Sequence, residues 1–174
     1  MAGQSSTATR ILDAAERRVR TAGYGRLSFR DVAADVGIKS ASVHHHFPTK
    51  EALVTTLAAR YTERFIDSVS EPAAARLTAY RAAFRRSLET DGQMCLCGML
   101  GAESAGLPDP VVGEARRFFS RAVAHLAESL DAAGGDPRGR AMAIIAQLEG
   151  ALILARTCGD ITVFDEATAD LEAF

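Results

Sequence analysis

From Ser28 to Thr49 the chain runs through helix boundaries in quick succession, and their spacing restricts the fold more than any other feature. Ser28 and Asp31 form an S-x-x-[DE] capping box, followed by Phe29, Val32, Ala33 and Val36 as one apolar face. Gly37 then stands where a left-handed turn residue closes a helix. Ser40 is placed to cap a short third helix with Val43 and Phe47 as its inner face; Pro48 stops it and Thr49 caps the next. That helix continues through Leu53, Leu57, Tyr61 and Phe65 to about Val69. Upstream, Leu12, Ala15, Val19 and Ala22 recur at helical steps from Thr9 until Gly23 and Gly25. Helix, helix, glycine turn and short helix make the helix-turn-helix layout, whose second paired helix enters the DNA major groove.

A plain three-helix bundle has the same periodicity, and charge separates the two readings. Residues 1–50 carry eight Lys/Arg against four acids, a surplus of +4 in a chain whose net charge is −2. The remainder therefore holds −6. A basic head on an acidic body is the asymmetry expected where one end meets a polyanion.

His44, His45 and His46 raise the question of a metal. Successive helical residues point about 100° apart, so neighbours do not converge on one ion, whereas i, i+3 or i+4 pairs do. With Val43 and Phe47 inward, Ala41, Ser42 and His45 face outward and His44 and His46 lie on the flanks. Small outward residues let the helix backbone approach a groove, and imidazoles, hydroxyls and Lys50 can donate to phosphate oxygens. His46 has a second placement, half buried against the next helix.

Beyond Pro72 the pattern gives longer helices over about 73–90, 94–105, 109–133, 136–158 and 161–174, with breaks at Asp91-Gly92, Gly106-Leu107-Pro108, Gly134-Gly135 and Gly159-Asp160. The polar start, with residues 1–8 read as a mobile arm, does not resemble a secretion signal. The apolar run Ala141–Ala155 contains Gln147 and Glu149 and reads as too short for a bilayer. These features lead to the expectation of a soluble, cytoplasmic protein with no membrane partner.

From Arg10-Ile11-Leu12-Asp13-Ala14-Ala15 through Gly23-Tyr24, Ser28 to Ala33, Val36-Gly37-Ile38 and Val43 to His46-Phe47-Pro48-Thr49-Lys50-Glu51-Ala52-Leu53, the chain resembles the TetR family of bacterial transcriptional regulators. Beyond Leu53 only the helical layout and total length fit. The resemblance implies an all-α fold. A three-helix helix-turn-helix DNA-binding domain would cover 6–66, with the motif at about 28–47, and a helical ligand-binding and dimerisation domain 67–174. It implies a homodimer with a small-molecule effector cavity in each body, and a repressor that leaves a palindromic, double-stranded operator when the effector binds. Carried across by position, the DNA contacts fall to Ser28, Arg30, Lys39, Ser40, Ser42, His44, His45 and Lys50. His44 departs from the pattern, which most often has tyrosine there.

In the body, Ile144, Ile145, Leu148 and Leu152 form one apolar stripe, and Ala143, Ala146, Gly150 and Ile153 a second built of small residues. A helix apolar on two faces is either central or shared with a partner. Together with Phe164, Ala167, Leu171 and Phe174 of the last helix, the second stripe is expected at a dimer seam, with a single-chain core as the competing reading. Tyr61, Phe65, Tyr80, Phe84, Met94, Met99, Phe118 and Phe119 are candidates for lining an effector cavity, each also readable as ordinary core. Glu103, Gln147 and Glu149 are candidate polar anchors. Cys95 and Cys97 could sense oxidants or metal, but their i, i+2 spacing and the usual burial of cysteine favour a packing role. His125 is expected to face solvent. No catalytic grouping, phosphate-cradling loop, metal pattern or cofactor motif is apparent, so the chain is not expected to be an enzyme.

Overall fold

The computed structural model describes residues 6–89, 92–130 and 135–172, and every regular element among them is helical. The expectations that fall on residues 1–5, Thr90, Asp91, Ala133, Gly134 and Phe174 lie outside the described residues. The head comprises α1 (Thr7–Ala22), α2 (Phe29–Val36) and α3 (Ser40–His46). A long α4 (Lys50–Ser68) leads into the body, made of α5 (Ala73–Glu89), α6 (Leu96–Ala102), α7 (Asp109–Leu130), α8 (Pro137–Cys158) and α9 (Thr162–Ala167). Short 3-10 turns occupy Ser104–Gly106 and Ala169–Glu172.

The caps set most of these boundaries. The Ser28 hydroxyl accepts from the Asp31 amide at 3.2 Å and donates to the Asp31 carboxylate at 2.6 Å, which fixes the start of α2. Gly37 ends it in the left-handed region, at φ 73°, with its N–H on the carbonyls of Ala33 and Ala34. Thr49 caps α4 by accepting from the Ala52 amide at 3.0 Å. At α3 the expected Ser40 cap is corrected: Lys39 holds the cap position without a side-chain bond, and Ser40 is already the first helical residue. The sixth helix starts at Leu96 rather than Met94, because the Met94 amide is drawn to the Arg20 carbonyl at 3.1 Å.

Two further expectations fail for packing reasons. The last helix stops at Ala167, where the Thr168 hydroxyl turns back onto the Phe164 carbonyl at 2.7 Å and accepts from Arg81 at 2.9 Å. Phe164 and Leu171 are buried within the subunit, so they cannot form the surface of a dimer seam. α8, 22 residues with a mean hydropathy of 1.4 over its most apolar stretch, is long and apolar enough to cross a membrane by length and composition alone. It packs against α5, α7 and α9, with Ile144, Ile145, Leu148 and Leu152 in the core, as the central helix of a bundle.

α7 is the pivot of the body, lying against α4, α5, α6 and α8. At its centre Phe65 touches four rings: Phe118 at 5.1 Å, Tyr80 at 5.5 Å, Phe84 at 5.7 Å and Tyr61 at 6.2 Å between centroids. Edge-to-face aromatic packing of this kind holds α4, α5 and α7 in register. The apolar core runs without a break from this cluster through Leu57 and Leu53 to Val43, Val32 and Ile11 of the head.

Candidate nucleic-acid interface

α3 is held by its inner residues and turns everything polar outward. Val43 and Phe47 are buried, while Lys39, Ala41, His44, His45 and His46 are exposed and Ser40 and Ser42 half-exposed. His46 therefore takes the exposed of its two expected placements. The His44 ring packs edge-on to Phe29 at 4.6 Å, and the His45 and His46 rings meet at 5.5 Å. Among the described residues no group of three His, Cys, Asp or Glu side chains is arranged to hold a metal. The exposed guanidinium of Arg30 stands on α2 beside this helix. Ser28 lies at the start of α2, its hydroxyl engaged in the cap.

Lys50 is less free than its place in the sequence suggests. Its ammonium lies 4.2 Å from the centre of the Tyr24 ring and donates to the Gly25 carbonyl at 3.4 Å. Burial holds its pKa below the ordinary lysine value, with Glu103 acting the other way. Elsewhere the head is braced by Arg18, which grips the Asp35 carboxylate at 2.6 and 2.8 Å, and by Arg10 on the Val36 carbonyl. Ser42, Lys39, Arg30, His44 and His45 thus sit on a framework in which Arg10 and Arg18 are already engaged.

The head is bolted to the body at the end of α1. Arg20 donates to the Met94 carbonyl at 2.7 Å and to Ser87 at 3.0 Å, and its own carbonyl receives the Met94 amide. Arg156, in the last turn of α8, donates to the carbonyls of Arg20 and Thr21. At the far end of α6 the Glu103 carboxylate accepts from the Gly25 amide at 3.3 Å, so Glu103 is a joint residue rather than a ligand anchor. Gly23 permits that contact: its φ is 82°, and a Cβ there would lie 1.9 Å from the Glu103 carboxylate. Buried Glu16 adds ion pairs to Arg20, Arg60 and Arg64. Sequence reasoning missed this joint. It is assembled from residues some 50 to 140 positions apart along the chain, with no local periodicity to announce it.

The expected cavity residues divide. Tyr61, Phe65, Tyr80, Phe84 and Phe118 are the interlocked core cluster, with Met94 also buried and Met99 half-buried. Of these, Tyr61 and Phe65 also border a cleft of about 390 Å³ between α1, α4 and α5. Gln147 faces elsewhere: its amide donates to the Ala167 carbonyl at 2.9 Å and to Asp170 at 2.7 Å, tying down the last turn. His125 is not a free surface residue, since its Nδ1 pairs with the Tyr80 hydroxyl at 3.0 Å. Cys95 and Cys97 are buried, and burial raises both thiols well above the usual range, which keeps them protonated and poorly nucleophilic.

Glu149 is the most perturbed carboxylate among the described residues of the body. Burial pushes its pKa up to about 7, with a hydrogen bond to the Cys95 thiol pulling the other way. The folded chain then holds a proton that the unfolded chain gives up above its ordinary value of 4.5. Stability falls as pH rises through that window and levels off above it. Glu149→Gln is accordingly expected to stabilise the fold by about 2–3 kcal/mol at alkaline pH and hardly at all at acid pH. Thermal unfolding at the two pH values measures the difference.

A short outward helix set by a glycine turn on a cationic head, joined through α4 to a helical body, defines the class of helix-turn-helix DNA-binding regulators. A family described as bacterial regulatory proteins of the tetR family matches residues 11–57. A second, described as the C-terminal domain of LmrA/YxaF-like transcriptional regulators, matches residues 71–170. Among solved structures, a TetR transcriptional regulator from Legionella pneumophila is similar over 98% of both chains, at 30% identity and a TM-score of 0.92. A TetR-family regulator from Agrobacterium tumefaciens is similar over 96% of both chains, at 30% identity and a TM-score of 0.85. The regulatory protein TetR from Rhodobacter sphaeroides, at 21% identity and a TM-score of 0.85 over 96% of this chain and 97% of its own, shares the fold. No curated protein matches significantly. The chain belongs to the TetR family and is a transcriptional regulator with a DNA-binding domain. Its family and structural neighbours are regulators rather than enzymes.

Proposed function

We propose that the chain is a homodimeric repressor that grips a palindromic operator in the cytoplasm and lets go when a small molecule enters its body. The observation that carries this reading is the pairing of an outward α3 with an unpartnered apolar stripe on α8. Met142, Ile153 and Leu154 are the large hydrophobics left exposed among the described residues, at 46%, 54% and 53%, and all lie on that one helix. Ala143 and Ala146 are exposed beside them, and Gly150 is half-exposed. An apolar stripe of this kind on a helix that is otherwise core suits a symmetric helix–helix seam. Phe164 contributes to it only from beneath, through the packing of α9 on α8.

Two heads so joined would present two α3 helices, with Ser42 and Lys39 toward base edges and Arg30, His44, His45 and Ser40 toward the backbone. Lys50 would join them by leaving Tyr24 for a phosphate. Release follows from the joint at the end of α1: a shift of α6 or α8 pulls on Arg20, Thr21 or Gly25 and tilts the head. Small tilts misplace one of two half-sites, which is enough to lose the operator.

Salt titration of DNA binding tests the reading. Fluorescently labelled duplex from beside the chain's own gene should bind tightly in dilute buffer. Log affinity should fall linearly with log salt, at a slope of about −0.9 per phosphate contact. Binding insensitive to salt, or none to any duplex, would contradict it.

A further inference from the structure

We propose that the cleft between α7 and α8 is the effector site, and that it takes an apolar organic cation whose ammonium group pairs with the Glu149 carboxylate. The inference rests on the effector-responsive reading above and adds the place and chemistry of the ligand. The cleft has a volume of about 420 Å³, within the range of roughly 300–1,000 Å³ usual for sites that hold small organic molecules. Phe119 and Val123 of α7 and Met142 and Ile145 of α8 give it apolar walls. Two charged residues line it, Glu149 and Arg138. Arg138 is exposed in the first turn of α8, three turns of helix from Glu149, so it stands at the rim.

Glu149 has the features of a group awaiting a partner. Its Oε1 is screened from water and has no hydrogen-bond partner. On its other side it receives the Cys95 thiol. The carboxylate also rests directly on α6, in space left open at Gly98: a Cβ there would lie 2.4 Å from Oε2. A screened acceptor left unpaired is costly, and a donor that reaches it recovers that cost. An ammonium recovers most, because it also neutralises the charge in a site of low dielectric. A carboxylate ligand would be repelled by the ionised group, and a neutral hydroxyl could donate to Oε1 but would leave its charge uncompensated.

The same placement explains how such a ligand would be felt at the DNA. Cys95 and Gly98 belong to the start of α6, and Met94 immediately before them exchanges hydrogen bonds with Arg20 at the end of α1. Glu103, at the other end of α6, holds Gly25. Drawing the Glu149 carboxylate toward a cation relieves its hold on α6, a seven-residue helix fastened to the head at both ends. Met142 and Ala146 line the cleft and also belong to the stripe assigned to the partner subunit, so in the dimer a second copy would close over the site and form its remaining wall.

The test titrates the full-length protein, without DNA and at a pH of about 8.5 where Glu149 is ionised and the amine still charged, with 2-(2-naphthyl)ethylammonium, and separately with 2-(2-naphthyl)ethanol and 2-naphthylacetate, by isothermal calorimetry. The amine should bind at least about tenfold more tightly than the alcohol, and the acetate more weakly than either. Glu149→Gln should abolish the preference for the amine while leaving the alcohol's affinity unchanged. That variant is expected to be more stable than the parent, so unfolding does not confound the result. Equal binding of all three probes, an amine preference that survives Glu149→Gln, or no binding because the partner's helix fills the cleft would overturn the proposal. A parallel gel shift separates the two readings: a protein that binds the amine but no duplex would refute the repressor while leaving the cation site standing.

Discussion

Ser42→Glu should abolish operator binding while leaving fold and assembly unchanged. Ser42 is half-exposed on the outward face of α3, next to Val43, whose side chain anchors the helix in the core. Its own side chain is not part of that packing, so a longer residue there costs the head little. Against DNA the change is severe. A carboxylate would be carried into the groove between two phosphate backbones, displacing a hydroxyl small enough to allow close approach. Each dimer places two such carboxylates, and at about 2 kcal/mol for each the operator is lost by roughly a thousandfold. Fluorescence anisotropy with labelled duplex measures the loss, and thermal unfolding checks the fold. Retention of parental affinity would remove α3 from the interface.

Ile153→Asp is expected to split the dimer. Ile153 is 54% exposed and near Leu154 and Gly150 on the outer face of α8, so its side chain adds little to the core of a single subunit. In a two-fold seam each copy of the variant would bury a carboxylate against apolar surface and near its symmetry mate. At about 2 kcal/mol or more for each copy, the dissociation constant should rise at least about a thousandfold. Sedimentation velocity at micromolar concentration should then give a monomer that unfolds as a compact domain and no longer retains the operator. A variant that remains dimeric would place the seam elsewhere and leave the exposed stripe without its assigned partner.

The contrast between these two sites and the joint explains what was legible in the sequence. Ser28 with Asp31, Gly37, and Thr49 are local signals, because a cap or left-handed turn is decided by residues within one helical turn. The head followed directly from them. The outer stripe of α8 was also readable, since Ala143, Ala146, Gly150 and Ile153 share a face by periodicity alone. Periodicity could not say which apolar faces would pair within the subunit, and Phe164 and Leu171 were therefore misplaced at the seam when Arg81, Arg85 and Thr168 fold their segment inward. The partners of Gln147 and His125 were hidden for the same reason: they lie 20 and 45 residues away along the chain. Glu149 was visible as an acid on an apolar helix. Its unpaired oxygen and its seat on Gly98 required the tertiary packing of α6 on α8.

Hydroxyl-radical footprinting of the duplex flanking the chain's own gene examines the central claim most directly. A pair of α3 helices held by a symmetric dimer should protect two patches on one face of the DNA, about 34–36 Å or a multiple of it apart, and both should vanish together with Ser42→Glu. A single protected patch, or protection unchanged in that variant, would contradict the account.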